Sequence, residues 1–144
     1  MGTRRISREA ALQFLYQDDF SVEADISPEG LEERYAQFCG IYQVNKKARS
    51  YAYELIQGVI KNKKKLDESI EKAADNWRIS RISATDRNLL RIAAFEMVIA
   101  EDVPSQVAIN EAVEIAKRFC SDESPRFING VLDSLKRDQG QSED

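Results

Sequence analysis

Residues 48–60 read Ala-Arg-Ser-Tyr-Ala-Tyr-Glu-Leu-Ile-Gln-Gly-Val-Ile. Ala48, Tyr51, Ala52, Leu55, Ile56, Val59 and Ile60 recur at three- and four-residue intervals. That spacing lines them along one face of a helix with 3.6 residues per turn. The two-residue alternation that marks a half-buried strand is missing here, and no other stretch of the chain shows it convincingly.

The same periodicity extends outward in both directions. Upstream, residues 4–19 predict a first helix with Ala10, Ala11, Leu12, Phe14 and Leu15 on its apolar side. Ser27-Pro28 then gives an N-cap and a first-turn proline to a helix carrying Leu31, Tyr35 and Phe38, for which Gly40 is the expected stop. Downstream, Leu66, Ile70, Ala73 and Trp77 mark a shorter helix. Ser83 with Asp86 resembles a capping box, with Asp in place of Glu, and opens a helix through Leu89, Leu90, Ala93, Met97 and Ala100. Val103-Pro104 breaks the chain and starts another, with Ala108, Ala112, Ile115, Ala116 and Phe119 on one face. Ser124-Pro125 repeats the cap-and-proline signal for a last helix carrying Ile128, Val131, Leu132 and Leu135. Seven helices with short joints predict one compact all-α domain over residues 1–137, followed by a frayed polar tail at 138–144.

Composition narrows the chemistry. The chain has 144 residues, 21 Lys+Arg against 25 Asp+Glu, a net charge of −4 and no histidine. Imidazole bases, Ser-His or Cys-His nucleophile pairs and His-ligated zinc are therefore excluded. Cys39 and Cys120 suggest neither a metal cluster nor a disulfide framework, so no cofactor is expected and a reducing cytoplasm is the expected compartment. The N-terminus has no apolar signal segment, and Ile6 stands where myristoylation requires Ser or Thr. The longest apolar run, residues 92–100, is broken by Glu96 and is too short to cross a bilayer, so no membrane role is expected.

Catalysis finds little support. The six glycines never lie close enough together for a phosphate-cradling loop. Glu32 and Glu33 read as a solvated acidic face. Asn110 and Glu111 interrupt an apolar helix and are best read as hydrogen-bonding groups that tie neighbouring helices together. A non-enzymatic role follows as the expectation.

Charge is distributed unevenly. Residues 18–33 hold Asp18, Asp19, Glu23, Asp25, Glu29, Glu32 and Glu33 with no base, whereas 46–65 hold seven bases and one acid. Arg4, Arg5 and Arg8 crowd the start of the first helix, two turns before Tyr16. Guanidinium forks match phosphate oxygens and stack on bases, although the spacing fits a solvated arginine cluster equally well and Tyr16 a half-buried packing role. A second segment, 117–127, interleaves Lys117, Arg118, Arg126, hydroxyls, Phe119 and Phe127 across a helix junction. It reads either as a phosphate- and base-holding turn or as a capped turn with its rings packed inward. The lysines at 61–65 are expected to sit by a helix C-terminus, where cations suit the dipole.

Three stretches carry a resemblance. They are Arg4-Arg5-x-x-Arg8-Glu-Ala-Ala-Leu-Gln-x-Leu-Tyr16, then Val103-Pro-x-x-Val-Ala-Ile-Asn-Glu-Ala-Val-Glu-Ile-Ala-Lys117, continued by Arg126-Phe-Ile-Asn-Gly-Val-Leu-Asp133. With the central Asp86-Arg-x-Leu-Leu-Arg91-Ile-Ala-Ala-Phe-Glu96, they closely resemble the NusB family of transcription antitermination factors. The resemblance covers nearly the whole chain, most weakly over 18–50. Ile6 stands within what is often a longer arginine run, and Cys120 and Pro125 alter the C-terminal loop.

The resemblance implies a bacterial, all-helical, non-catalytic RNA-binding protein. It implies that the chain pairs with NusE, a small-subunit ribosomal protein, on the single-stranded boxA element of ribosomal RNA leaders, within the RNA polymerase antitermination complex. It places Arg4, Arg5, Arg8 and Tyr16 at the RNA, together with the C-terminal turn: Lys117, Arg118, Glu123, Ser124, Arg126 and Phe127. It places Asp86 at NusE. Members can dimerise, so a homodimer is compatible with it. NusB-like domains also occur fused to RNA cytosine methyltransferases; a chain ending at Asp144 without a glycine-rich α/β domain fits the free-standing factor better. A self-associating helical module without nucleic acid is the rival from another class.

Overall fold

The structure, a computed structural model, describes residues 2–21 and 27–140. Seven α-helices follow one another: α1 (Thr3–Asp18), α2 (Pro28–Tyr42), α3 (Arg49–Lys61), α4 (Lys63–Ala73), α5 (Ala84–Ala94), α6 (Ser105–Phe119) and α7 (Ser124–Asp138). Single 3₁₀ turns at Lys46–Ala48 and Ile79–Arg81 join some of them, and no strand occurs among the described residues. None of these helices is long and apolar enough to cross a membrane.

α5 is the axis of the domain. Every residue from Asn88 to Ala94 is buried, because α1, α3, α4, α6 and α7 all pack around it. α6 and α7 lie against each other on one side, and α1 and α3 on the other. α2 is held by long side chains: Phe14 of α1 meets Tyr35 and Phe38 edge-on at 5.9 and 5.3 Å, and Tyr35 stacks on Tyr53 of α3 at 4.9 Å. Such offset and edge-to-face rings favour a fixed spacing between elements.

Beyond Ala94 the helix continues through a π turn, Phe95–Ala100, whose last step is a bond from the Glu101 amide to the Glu96 carbonyl, 3.0 Å. Gly58 of α3 lies directly against Phe95, and a Cβ at position 58 would overlap the ring. This close approach seats the π turn on α3.

Two polar knots are sealed into this core. In the first, Arg8 of α1 meets Glu96. In the second, Arg91 bonds Asp67 at 2.8 and 3.0 Å and Asn88 at 3.0 Å, while Asn88 and Arg87 both reach Asp19. Among the described residues every buried side-chain nitrogen and oxygen has a hydrogen-bond partner, as buried polar groups require.

Several helix ends depart from the sequence expectation. Ser27 and Ser83 do cap, accepting from the amides of Gly30 and Asp86. α2, however, runs past Gly40 to Tyr42, and Gln43 takes the left-handed step at φ 50°, its amide bonding Cys39. α4 stops at Ala73, because Asp75 and Asn76 turn left-handed at φ 56° and 66°, and Trp77 is left largely exposed. Ser124 is the first residue of α7 rather than its cap, and its hydroxyl is drawn to Asp86 instead. Lys63, Lys64 and Lys65 form the first turn of α4, so only Lys61 stands at a C-terminal end. There they oppose the dipole at about 0.3–1 kcal/mol each. Glu23, Asp25 and the end of the tail, residues 141–144, lie outside the described residues.

Candidate nucleic-acid interface

The three N-terminal arginines have different surroundings. Arg4 is exposed, its guanidinium 4.2 Å from the centre of the Tyr51 ring and 4.0 Å from Asp102. Arg5 holds Glu111 of α6 through two parallel bonds, both 2.8 Å. Arg8 is 4% exposed. Its Nε lies 3.0 and 3.1 Å from the Glu96 oxygens, its Nη2 2.9 Å from one of them, and its Nη1 3.5 Å from Glu111. The Tyr51 hydroxyl donates to the same Glu96 carboxylate.

Burial and direct contact together set the electrostatics of this cluster. The hydrogen bond from Arg5 holds the Glu111 carboxyl below its ordinary range, against a smaller opposing effect of burial. Burial is the largest single influence on Arg8 and works against its charge, but Glu96, Tyr51 and Glu111 together outweigh it and keep the guanidinium protonated more firmly than usual. Burial, then the bond to Glu96, pushes the Tyr51 phenol up. The result is a rigid frame beneath a cleft of about 420 Å³ lined by Arg4, Arg5, Asp102, Pro104, Val107 and Glu111. A bidentate guanidinium held in this way is oriented before any ligand arrives.

Glu111 therefore ties helices together as expected, whereas Asn110 is exposed and bonds only Gln106 one turn earlier. Glu96 was visible in the sequence only as the charge that breaks an apolar run. Its partner 88 positions away gave no local sign.

Tyr16 is exposed, at 41%, and edge-on to Phe20 at 5.1 Å, so it is not the core or half-buried residue that its spacing allowed. At the C-terminal end of α6, Lys117 is exposed and pairs with Glu114. Arg118 bonds Glu9 of α1 at 2.8 Å and lies 5.1 Å from the Phe119 ring centre. Arg118 thus links the two sequence segments that the chain keeps a hundred residues apart.

The junction after α6 is built on Asp86. The Ser124 hydroxyl, itself buried, donates to its carboxylate at 2.9 Å and lies 3.0 Å from the Ser121 hydroxyl. Burial and the neighbouring Asp86 push the Cys120 thiol up to about 12. Phe127 is half-buried, edge-on to Trp77 at 6.1 Å, whereas Glu123 and Arg126 stay exposed. A cleft of about 240 Å³ between Trp77, Arg81, Ser83, Asp86, Glu123 and Phe127 results. Trp77 and Arg81 were not singled out by sequence, since an indole at helical spacing reads as core.

A family model described as the NusB family matches residues 5–137. A transcription antitermination protein NusB from Desulfotalea psychrophila is 65% identical over 136 residues, spanning 94% of this chain and 96% of that one. Among solved structures, NusB of T. maritima superposes with a TM-score of 0.79 at 32% identity, over 97% of this chain and 96% of the other. A chain from a crystal structure of antitermination factors NusB and NusE with double-stranded RNA shares the fold, at a TM-score of 0.80 and 24% identity, over 94% of this chain and 97% of the other. With similarity running from the arginine-rich start of α1 through α7, the chain belongs to the NusB family of transcription antitermination proteins.

Proposed function

We propose that this protein binds single-stranded boxA RNA of ribosomal RNA leader transcripts jointly with NusE, as a non-catalytic cytoplasmic part of the RNA polymerase antitermination complex. The observation that supports it best is the arrangement at the start of α1, where Arg4 is open to solvent and Arg5 is held in orientation by Glu111 on a protein of net charge −4. Cations displayed on a rigid frame, on an otherwise acidic body, fit a localised phosphate contact. NusE and RNA are the partners named for one solved structure of this fold, and family membership brings them to this chain as a proposal.

Arg4, Arg5, Tyr16, Lys117, Arg118, Glu123, Arg126 and Phe127 face the strand in this reading. Arg8 and Ser124 act from beneath, Arg8 by fixing Glu111 and Ser124 by fixing the C-terminal turn. Asp86 serves NusE, next to the exposed Trp77. Residues 1–137 act as one domain and 138–144 as a tail, in keeping with the family match that ends at 137. Self-association is compatible with this role and is read by sedimentation of the free protein.

The test is RNA binding by the purified protein with and without NusE, using a boxA-like strand and a scrambled control. The expected result is tightest binding to the boxA strand with NusE present, and modest binding by the acidic protein alone. Equal, weak binding to both strands in both conditions overturns the proposal.

A further inference from the structure

We propose that the groove beside α1, between the turn after α2 and the end of α6, is a second subsite for single-stranded RNA, carried on the same helix as the α1 arginines. This inference rests on the RNA-binding reading above and adds a wall, Tyr42 to Asn45, that the reading does not include.

The groove encloses about 540 Å³ and is lined by Ile6, Gln13, Tyr16, Tyr42, Asn45 and Phe119, among others. Three large rings remain exposed along it: Tyr16 at 41%, Tyr42 at 47% and Phe119 at 49%. Of the seven large hydrophobic side chains exposed among the described residues, these three line one groove, and such a grouping marks a contact site. Tyr42 is held ready, because Gln17 Nε2 donates to its hydroxyl at 2.8 Å and Phe38 supports its ring at 4.8 Å.

Charge points to the class of occupant. Glu9 is the only carboxylate in the lining, and Arg118 engages it at 2.8 Å. The other polar lining is uncharged: Gln13, Gln43, Asn45 and Thr85. Asn45 commits its carbonyl oxygen to the Lys47 amide, which leaves its side-chain NH₂ free to donate. Lys46 and Lys47 follow at the rim in a 3₁₀ turn, both exposed, with no ion-pair partner among the described residues. Aromatic faces, neutral amides and a cationic rim together suit a chain with stacked planar groups and regularly spaced negative charge. Single-stranded nucleic acid has that chemistry. A duplex keeps its base faces inside its own stack and cannot present them to these rings.

The experiment compares two RNAs by fluorescence anisotropy on the full chain: a short strand and the same strand extended by several nucleotides at either end. The wild-type protein is expected to bind one extended strand more tightly than the short one. Tyr42→Ala is expected to remove about 5- to 160-fold of affinity for that extended strand, and Tyr42→Phe to restore most of it. Lys46→Gln with Lys47→Gln is expected to flatten the salt slope for the extended strand by about 1.4. Circular dichroism on each variant confirms the fold, since all three side chains are exposed. If the short strand binds and neither extension adds affinity, the groove inference is overturned and the RNA reading stands. If the variants weaken NusE binding and leave RNA affinity unchanged, the groove is a protein surface and the inference is again overturned. If neither strand binds, with or without NusE, the RNA reading falls and takes the groove with it.

Discussion

Arg8 Nη2 and Glu96 Oε2 lie 2.9 Å apart, and both side chains are shut off from solvent. The pair joins α1 to the π turn after α5, two elements separated by most of the chain. Removing Arg8 leaves the buried Glu96 carboxylate with only the Tyr51 hydroxyl, and removing the Glu96 charge leaves buried Arg8 with only Glu111 at 3.5 Å. Arg8→Ala or Glu96→Gln is therefore expected to cost about 3–5 kcal/mol of stability. Replacing both with apolar residues of similar volume, Arg8→Met with Glu96→Leu, should recover most of that loss. Chemical denaturation of the three variants measures the effect, and a single-variant cost below about 1 kcal/mol contradicts burial of the pair.

Glycine-to-alanine substitution should change sign between two helices. At Gly130, in the middle of α7, a Cβ meets nothing within 4 Å, so alanine gains about 0.5–1 kcal/mol from helix propensity alone. At Gly58 the same Cβ overlaps the buried Phe95 ring, and displacing that ring should outweigh the propensity gain, with a net cost of about 1–2 kcal/mol. Melting temperatures of the two variants provide the check: Gly130→Ala should rise and Gly58→Ala should fall.

Acid should loosen the contact between α1 and α6. Arg5 holds the Glu111 carboxyl below its ordinary value of 4.5. The unfolded chain therefore takes up that proton more readily than the folded one. The stabilisation is complete above about pH 4.5 and is lost as pH falls through the lower folded value. Glu111→Gln removes the titrating group, so the stability gap between wild type and variant should be widest near neutrality and narrow on acidification. A gap that stays constant from pH 7 to about pH 3 would falsify the linkage.

The sequence made some of this legible and hid the rest for physical reasons. The stripe Ala52, Leu55, Ile56 and Val59 is buried as its period required, because a helix can cover only one face against its neighbours. Ser27 and Ser83 were readable as caps because capping is local. The chain reversal at Gln43 escaped, since glutamine seldom takes the left-handed step, whereas Asp75-Asn76 are residue types that tolerate it and carried a weak local signal overridden by the apolar period running on to Trp77. Arg8 was the hardest to place. In sequence it is one of three similar arginines, and its burial depends on Glu96, Tyr51 and Glu111, each brought in by a different helix or turn. Glu111 was partly readable, because a charge inside an apolar helix needs a partner even when the partner cannot be named.

Salt dependence separates the roles of the three arginines. Each phosphate neutralised on a single strand contributes about −0.7 to the slope of log affinity against log salt. Three engaged arginines would give roughly −2, but Arg8 has its nitrogens committed to Glu96 and Glu111. Only Arg4 and Arg5 remain to meet phosphate, and Arg5 must share its donors with Glu111. Arg4→Ala with Arg5→Ala should thus flatten the slope by about 1.4 or less, with only a modest fall in melting temperature from the lost Arg5–Glu111 pair. Arg8→Lys should do the reverse, because an ammonium cannot reproduce the bonds to two carboxylates, and the loss appears as stability rather than slope. A flattening near 0.7 on Arg8→Met, which removes the cation, in a fully folded protein would show that Arg8 leaves its buried partners to meet the RNA.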